Sequence, residues 1–354
     1  MNLKSKAISR IALVSALSLA TVSSIFAQEN RERRNIPAQT EQVYVISAKA
    51  GGVSYATGAV RVDRIATRKR HILAKGDEIN DGDIIAVGET GNAEILLNPG
   101  SFLRLAENTD IQFADTNLES LLLKMKNGSA VIEASAVGGE GGADIQIVTP
   151  QSTISLEKSG IYRLNVTANA TEVFVWKGAA TAGNVIVKAG RKAVLQKGAT
   201  AVIAKFDKDE SRDALDLWSK DRSKELAKLN NKIRSRDLTR AFTGYSNGFN
   251  GFNGFNRLGG FWAYNRFTGN YCYVPYGFGY GSSPYGYSYD RGIYWYYNNS
   301  GSYNPVVVAP RKVDVYNPPP PGKQDFPVYN PLPAPVYNPP AGGGSAPPPG
   351  KRDN

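Results

Sequence analysis

One imidazole and one thiol are all that the 354 residues offer for His- or Cys-based chemistry: His71 in RKRHILAKGD and Cys272 in NYCYVPY. A lone His serves as a general base only beside a hydroxyl or thiol that it activates. No G-x-S-x-G elbow and no Cys/His pairing accompanies it. His71 follows three basic residues at the start of an apolar run, the setting of a surface side chain. Structural zinc asks for four N or S ligands, which one His and one Cys do not supply. The acidic segment GDEINDGD (76–83) spaces oxygen atoms as Ca²⁺ prefers, but Ile79 and Gly88 fall where an EF-hand loop needs ligands. Turns built on Gly-Asp are the better account. VGGEGGAD (137–144) is Gly-rich, yet it lacks the Lys-Ser/Thr and the helix of a phosphate cradle and reads as a flexible loop. Nothing marks two carboxylates as a glycosidase pair. No catalytic, cofactor-binding or metal residue is therefore assigned, and the chain reads as a non-enzyme that needs no cofactor.

The stretch ILLNPGSFLRLAENT (95–109) has the order of a site but the residues of a corner. Pro99 and Gly100 preset a type II turn. That turn does not match the twist of a tight two-residue hairpin, so the expectation is a structural turn that carries the chain between layers. Ala93, Ile95, Leu97, Leu103 and Leu105 should then be buried. Arg104 should lie on the opposite face and meet Glu94 or Glu107 at the surface.

The elements that position these residues are mostly strands. From 42 to 205, short runs rich in Val, Ile, Leu and Thr recur between Gly, Asn and Asp, among them DIIAV, AEILL, SAVIEA, IQIVT, YRLNVT and EVFVW. This pattern predicts an all-β domain: a sandwich, a β-roll or a short solenoid of many short strands. Residues 206–241 predict one long, charged, amphipathic helix. Asp207 and Glu210 fit a capping box, and Ala214, Leu217, Trp218, Leu226, Leu229 and Ile233 form an apolar stripe. Asp221 and Arg222 interrupt that stripe, so a bent or only partly docked helix is expected. Its charges are taken as a solvated face.

The rest is compositionally biased. Residues 244–303 are rich in Gly, Tyr, Asn and Phe and contain the repeat NGFNGFNGF. This segment is either an aromatic-stapled module or an adhesive low-complexity one. Its aromatic residues Trp262, Tyr264, Tyr271, Tyr273, Tyr294 and Trp295 are the candidate binding residues, suited to stacking on sugar rings or peptide. Residues 304–354 carry VYNP three times and read as an extended, disordered Pro-rich tail.

Lys4, Lys6 and Arg10, the apolar run 11–20 and the small residues up to Ala27 read as a cleavable signal peptide, 1–27. A charged, disordered leader (28–41) follows. The expected location is the periplasm, the cell surface or the medium. The mature chain is expected to have no transmembrane helix, because no later run holds about 18 consecutive apolar residues. The formal charge of +11 includes the three basic signal residues. The remainder is spread out rather than striped, which argues against nucleic acid and leaves attraction to anionic envelope polymers open. The expected partners are envelope polysaccharide, peptidoglycan or an envelope protein.

Residues 73–109, with two Gly-Asp steps before an apolar strand and a turn, resemble the FecR-type domain family. LKMKNGSAVIEA (123–134), IQIVTPQSTISLEKSGIYRLNV (145–166), TEVFVWKGAA (171–180) and VKAGRKAVLQKG (187–198) continue the resemblance over roughly 44–204. The helix and the aromatic block look like those of exported FecR-domain proteins of Acidobacteria-like bacteria. Family regulators resemble a cytoplasmic anti-sigma segment, a membrane span and a periplasmic sensor, of which only the last is matched. The resemblance implies an exported β-domain used as a scaffold or binding module, with ligand sensing in a transmembrane signalling system as the alternative. It transfers no catalytic residues.

Overall fold

The computed structural model describes residues 43–47, 49–138, 142–247, 259–275, 281–289, 292–297 and 303–308. The signal peptide, the leader and most of the Pro-rich tail expected from the sequence lie outside the described residues.

Sixteen strands form one continuous hydrogen-bonded sheet that folds back on itself. Its first half runs β4 (Lys69–Ile72), β3 (Val60–Arg64), β5 (Ile84–Val87), β8 (Thr109–Asp115), the start of β9 (Ser120–Ala134), β10 (Asp144–Val148), β11 (Thr153–Leu156), β14 (Ala179–Ala182) and β15 (Val185–Lys188). Its second half runs β2 (Val53–Thr57), β6 (Asn92–Leu96), β7 (Phe102–Leu105), the end of β9, β12 (Gly160–Val166), β13 (Ala170–Lys177), β16 (Arg191–Gln196) and β17 (Val202–Lys205). Strand β9 belongs to both halves. Residues 120–127 pair with β8 and β10, and residues 128–134 with β7 and β12. The bend falls at Gly128, where φ is +101° and a Cβ would sit 2.4 Å from the Thr109 Cα. Only glycine fits there. The Thr109 hydroxyl fixes the bend by accepting the Ser129 N–H at 3.0 Å.

Folding the sheet brings two apolar faces together, and the core lies between them. Val62, Ile85, Phe113, Leu123 and Ile147 of the first half pack with Ile95, Leu103, Ile132, Leu164 and Val175 of the second. The all-β reading thus resolves to a sandwich. Ala93, Ile95, Leu97, Leu103 and Leu105 are all buried as expected.

The Pro99-Gly100 turn differs from the expectation in its connection. Gly100 has φ +89° and the Ser101 N–H donates to the Asn98 carbonyl, as a type II turn requires. Yet β6 and β7 pair directly, Glu94 opposite Arg104 and Leu96 opposite Phe102. The turn therefore closes a hairpin. The Ser101 carbonyl also accepts the Leu97 N–H, which continues that register. The loop is therefore the three residues 98–100, longer than the tight two-residue connection whose twist the turn type would not match.

The single long helix of the expectation is divided. Helix α1 spans Ala214–Asn230 and α2 spans Ser235–Asn247. The N-cap of α1 is Asp213, with Asp216 closing the capping box, and not Asp207. The Asp207 carboxylate instead accepts the N–H groups of Asp209 and Glu210 in a separate turn.

A second sheet joins β1 (Tyr44–Ser47), β18 (Gly260–Asn265) and β19 (Asn270–Pro275). Helix α2 packs on this sheet through Phe242 and Phe261, 4.9 Å apart between centroids. Strands β20 (Gly292–Tyr297) and β21 (Tyr303–Val308) pair as a hairpin. No helix among the described residues is long and apolar enough to cross a membrane.

Candidate functional site

The outer face of the sandwich's second half is where charge gathers. Alternation along β6, β7 and β9 turns Glu94, Arg104 and Glu133 away from the core, and the strand register sets them side by side. Arg104 Nε donates to Glu94 at 2.7 Å and its Nη1 to Glu133 at 2.7 Å. All three are 0% exposed, because α1 lies over them. Ser219, Arg222 and Ser223, spaced i, i+3, i+4, share one face of that helix. Ser219 accepts from Arg104 at 2.9 Å, Arg222 donates to Glu94 at 2.8 Å, and Ser223 donates to Glu133 at 2.8 Å. Tyr285 donates to Ser219 and Ser223 meets Ser283, so a third segment closes over the same network. Two arginines balance two carboxylates. Arg222 also reaches the half-exposed Glu225.

Burial opposes ionisation of Glu94, but Arg104 and Arg222 outweigh it and pull its carboxyl below the usual range. For Glu133, burial dominates and raises it, Arg104 and Ser223 offsetting only part. The Arg104 guanidinium is held even more firmly charged by its two carboxylates, despite complete burial.

The start of α1 is clamped in the same way. Arg163 on β12 donates from both terminal nitrogens to Asp213 at 2.7 Å, and to Asp216 at 3.0 Å. Burial lifts Asp216 to about 6. Burial also acts on Asp213, but Arg163 outweighs it and takes it down to about 2.

Aromatic rings complete the cover. Trp262, Tyr271 and Tyr273 were expected to meet a partner. They are instead buried against Leu96, Phe102 and Leu226. The Trp262 indole N–H donates to the Leu97 carbonyl, and its ring lies edge-on to Phe102 at 5.1 Å. A Cβ on Gly100 would come within 3.1 Å of the Tyr273 ring. The Pro99-Gly100 turn is thus the floor on which the hairpin β18–β19 rests. Tyr264 is only partly buried. Tyr294 and Trp295 lie on β20, and their side chains lie outside the described residues.

Arg104 corrects a further expectation: it does pair with Glu94, but in the interior. Its outward position on the strand was legible, whereas the helix above it was not. Arg222, read as an interruption of an apolar stripe, is one of the docking contacts. The i, i+3, i+4 pattern Ser219, Arg222, Ser223 was the available signal.

The remaining chemistry-bearing residues stand apart from this site. His71 is exposed on β4, 3.8 Å from Asp77. Cys272 is buried, and burial pushes its thiol up to about 12, which leaves it protonated and unreactive. In the 76–83 segment, Asp77 and Asp83 accept turn N–H groups of Ala74 and Asn80, and Asp81 accepts that of Thr116. Among the described residues no three of His, Cys, Asp or Glu are grouped to hold a metal ion.

This two-layer domain is of a recognised kind. Residues 83–181 match the family model described as FecR protein, so the chain carries a FecR domain from β5 to β14. Helix α1 and the hairpin β18–β19 lie beyond that match. The chain is also similar to two crystal structures of a putative anti-sigma factor from Parabacteroides distasonis ATCC 8503. One, at 2.50 Å resolution, is 14% identical with a TM-score of 0.31, over 35% of this chain and 60% of that one. The other, at 1.65 Å, is 13% identical with a TM-score of 0.31, over 45% and 74%. At these values the likeness fixes neither fold nor function. A comparison with curated proteins found no match.

Proposed function

We propose that this chain is a non-enzymatic, exported FecR-domain protein whose sandwich is a scaffold for its own C-terminal region. That region would contact envelope polysaccharide, peptidoglycan or an envelope protein in the periplasm or at the cell surface. The observation that carries this reading is the cover on the FecR domain: α1 seals its outer face through the network of Glu94, Arg104, Glu133 and Arg222, and the hairpin β18–β19 does so through Trp262, Tyr271 and Tyr273 packed on Leu96 and Phe102. The chain itself covers that face, which leaves the added layer and the segments beyond it as the contact surface. The basic, apolar and small-residue pattern of 1–27 supports export.

Isolated peptidoglycan, envelope polysaccharide and envelope proteins, each immobilised, test the reading. The mature chain should be retained on at least one of them, and passage through all three overturns it.

The FecR match also favours a second reading, a ligand-sensing component of a transmembrane signalling system. Its contact would be the exposed side of α1, where Leu217, Lys220 and Lys224 face outward. Charge reversal at Lys220 and Lys224 should then abolish complex formation without changing the melting temperature.

A further inference from the structure

The hairpin β18–β19 buries most of its rings but leaves a cavity beside them. Between the paired strands β1 and β18 on one side and Gly52, Gly76, Glu78 and Leu96 of the sandwich on the other lies a space of about 280 Å³, at the small end for ligand pockets and suited to one ring rather than a drug-sized molecule. Tyr271 forms the floor and Tyr264 a wall, their centroids 4.7 Å apart. Gly52 lets that floor pack close, since a Cβ there would come within 3.1 Å of Leu96 and 3.2 Å of the Tyr271 ring. Lys49, Arg266 and Glu78 line the rim, all exposed. Among the described residues none of these three enters an ion pair, so both cations and the carboxylate face the space uncommitted. Lys75 stands close by and ties the rim to the hairpin, its ammonium donating to Asn270 at 2.5 Å.

Each part matches one feature of a sugar. An aromatic face takes the apolar C–H side of a pyranose ring. A carboxylate accepts from ring hydroxyls. Two cations converge on an acidic substituent through charge-assisted hydrogen bonds. An uncharged sugar leaves the cations unused, and an extended peptide would need a longer groove.

We propose that this cavity binds a single carboxylate-bearing sugar unit, stacked on Tyr264 with its acid between Lys49 and Arg266. The proposal rests on the envelope-binding reading and gives that reading a residue-level site.

The test is calorimetric titration of the mature chain with tri-galacturonate, N-acetylmuramic acid and uncharged galactotriose. At least one acidic probe should bind, and more tightly than galactotriose. Tyr264→Ala should weaken that binding at least tenfold, and Arg266→Gln by about tenfold, close to 1.4 kcal/mol. Arg266→Gln should leave galactotriose unaffected and keep the wild-type melting temperature, since Arg266 is exposed. Absence of binding by either acidic probe, or binding unchanged in both variants, overturns the proposal. Retention on peptidoglycan by a chain that binds neither acidic probe overturns it while leaving the broader envelope reading intact. Titration that succeeds with a chain no envelope material retains supports the cavity and sinks the broader reading.

Discussion

The two outer faces of the sandwich carry the same kinds of residue in opposite surroundings. On the first half, Arg61, Lys124 and Lys126 point outward into solvent. On the second, Glu94, Arg104 and Glu133 point outward into protein. Both sets come from strands with the same apolar-polar alternation. What separates them is the layer above, a helix and a hairpin that reach back from more than 80 residues away in sequence. An exposed charge contributes little to stability. A buried one whose partner is removed is strongly destabilising.

The largest contrast comes from truncating one arginine against one lysine. Arg104→Ala leaves Glu94 and Glu133 buried without their shared partner and should cost about 3–5 kcal/mol in urea unfolding. Lys124→Ala on the open face should stay within about 0.5 kcal/mol. Equal effects would break the distinction between the faces.

A smaller loss is expected where the cover rests on the turn. Gly100→Val forces a β-branched residue to positive φ and sets its Cβ 3.1 Å from Ser135 and from the Tyr273 ring. The expected cost is about 1–3 kcal/mol, with the Trp262 and Tyr273 fluorescence environment altered. An unchanged melting temperature would show that the turn does not carry the hairpin.

Next comes the helix start. Asp213→Ala removes both the N-cap and the partner of Arg163, which should cost about 1–2 kcal/mol. The same change at Asp207, outside the helix, should cost less.

The smallest effect is in pH. Asp216 sits at about 6 in the fold, above its ordinary value. Its contribution is therefore fully present below about pH 4 and is lost as pH rises through 6. Asp213, held down to about 2, behaves oppositely, its contribution being lost as pH falls below about 4. Unfolding midpoints should be higher at pH 5 than at pH 7, and Asp216→Asn should flatten that rise.

The strands were legible because β-branched runs and Gly-Asn-Asp turns are local signals. Ala93, Ile95 and Leu103 were assigned to the core by alternation alone. The site was legible only in part. Alternation turned Arg104 outward correctly, yet alternation cannot say whether outward means water. At the start of α1, local pattern pointed to Asp207 with Glu210, whereas the structure uses Asp213 with Asp216. The second prevails because Arg163, 50 residues earlier in the chain, clamps it. At the Pro99-Gly100 turn, the residue types fixed the turn type. That the turn closes a hairpin comes from the pairing of β6 with β7, which no local residue dictates. The aromatic residues stand out in the sequence by their number, whereas the burial of Trp262, Tyr271 and Tyr273 follows from the apolar floor of Leu96 and Phe102 beneath them.

Amide hydrogen exchange across α1, in the wild type and in Arg104→Ala, tests most directly whether the charge network fastens the added layer to the FecR domain. The expected result is protection of residues 218–230 comparable to that of β12 and β13 in the wild type, with Arg104→Ala lifting protection from α1 first while the inner strands keep theirs. Unprotected α1 amides in the wild type, or an α1 indifferent to the loss of Arg104, would contradict it.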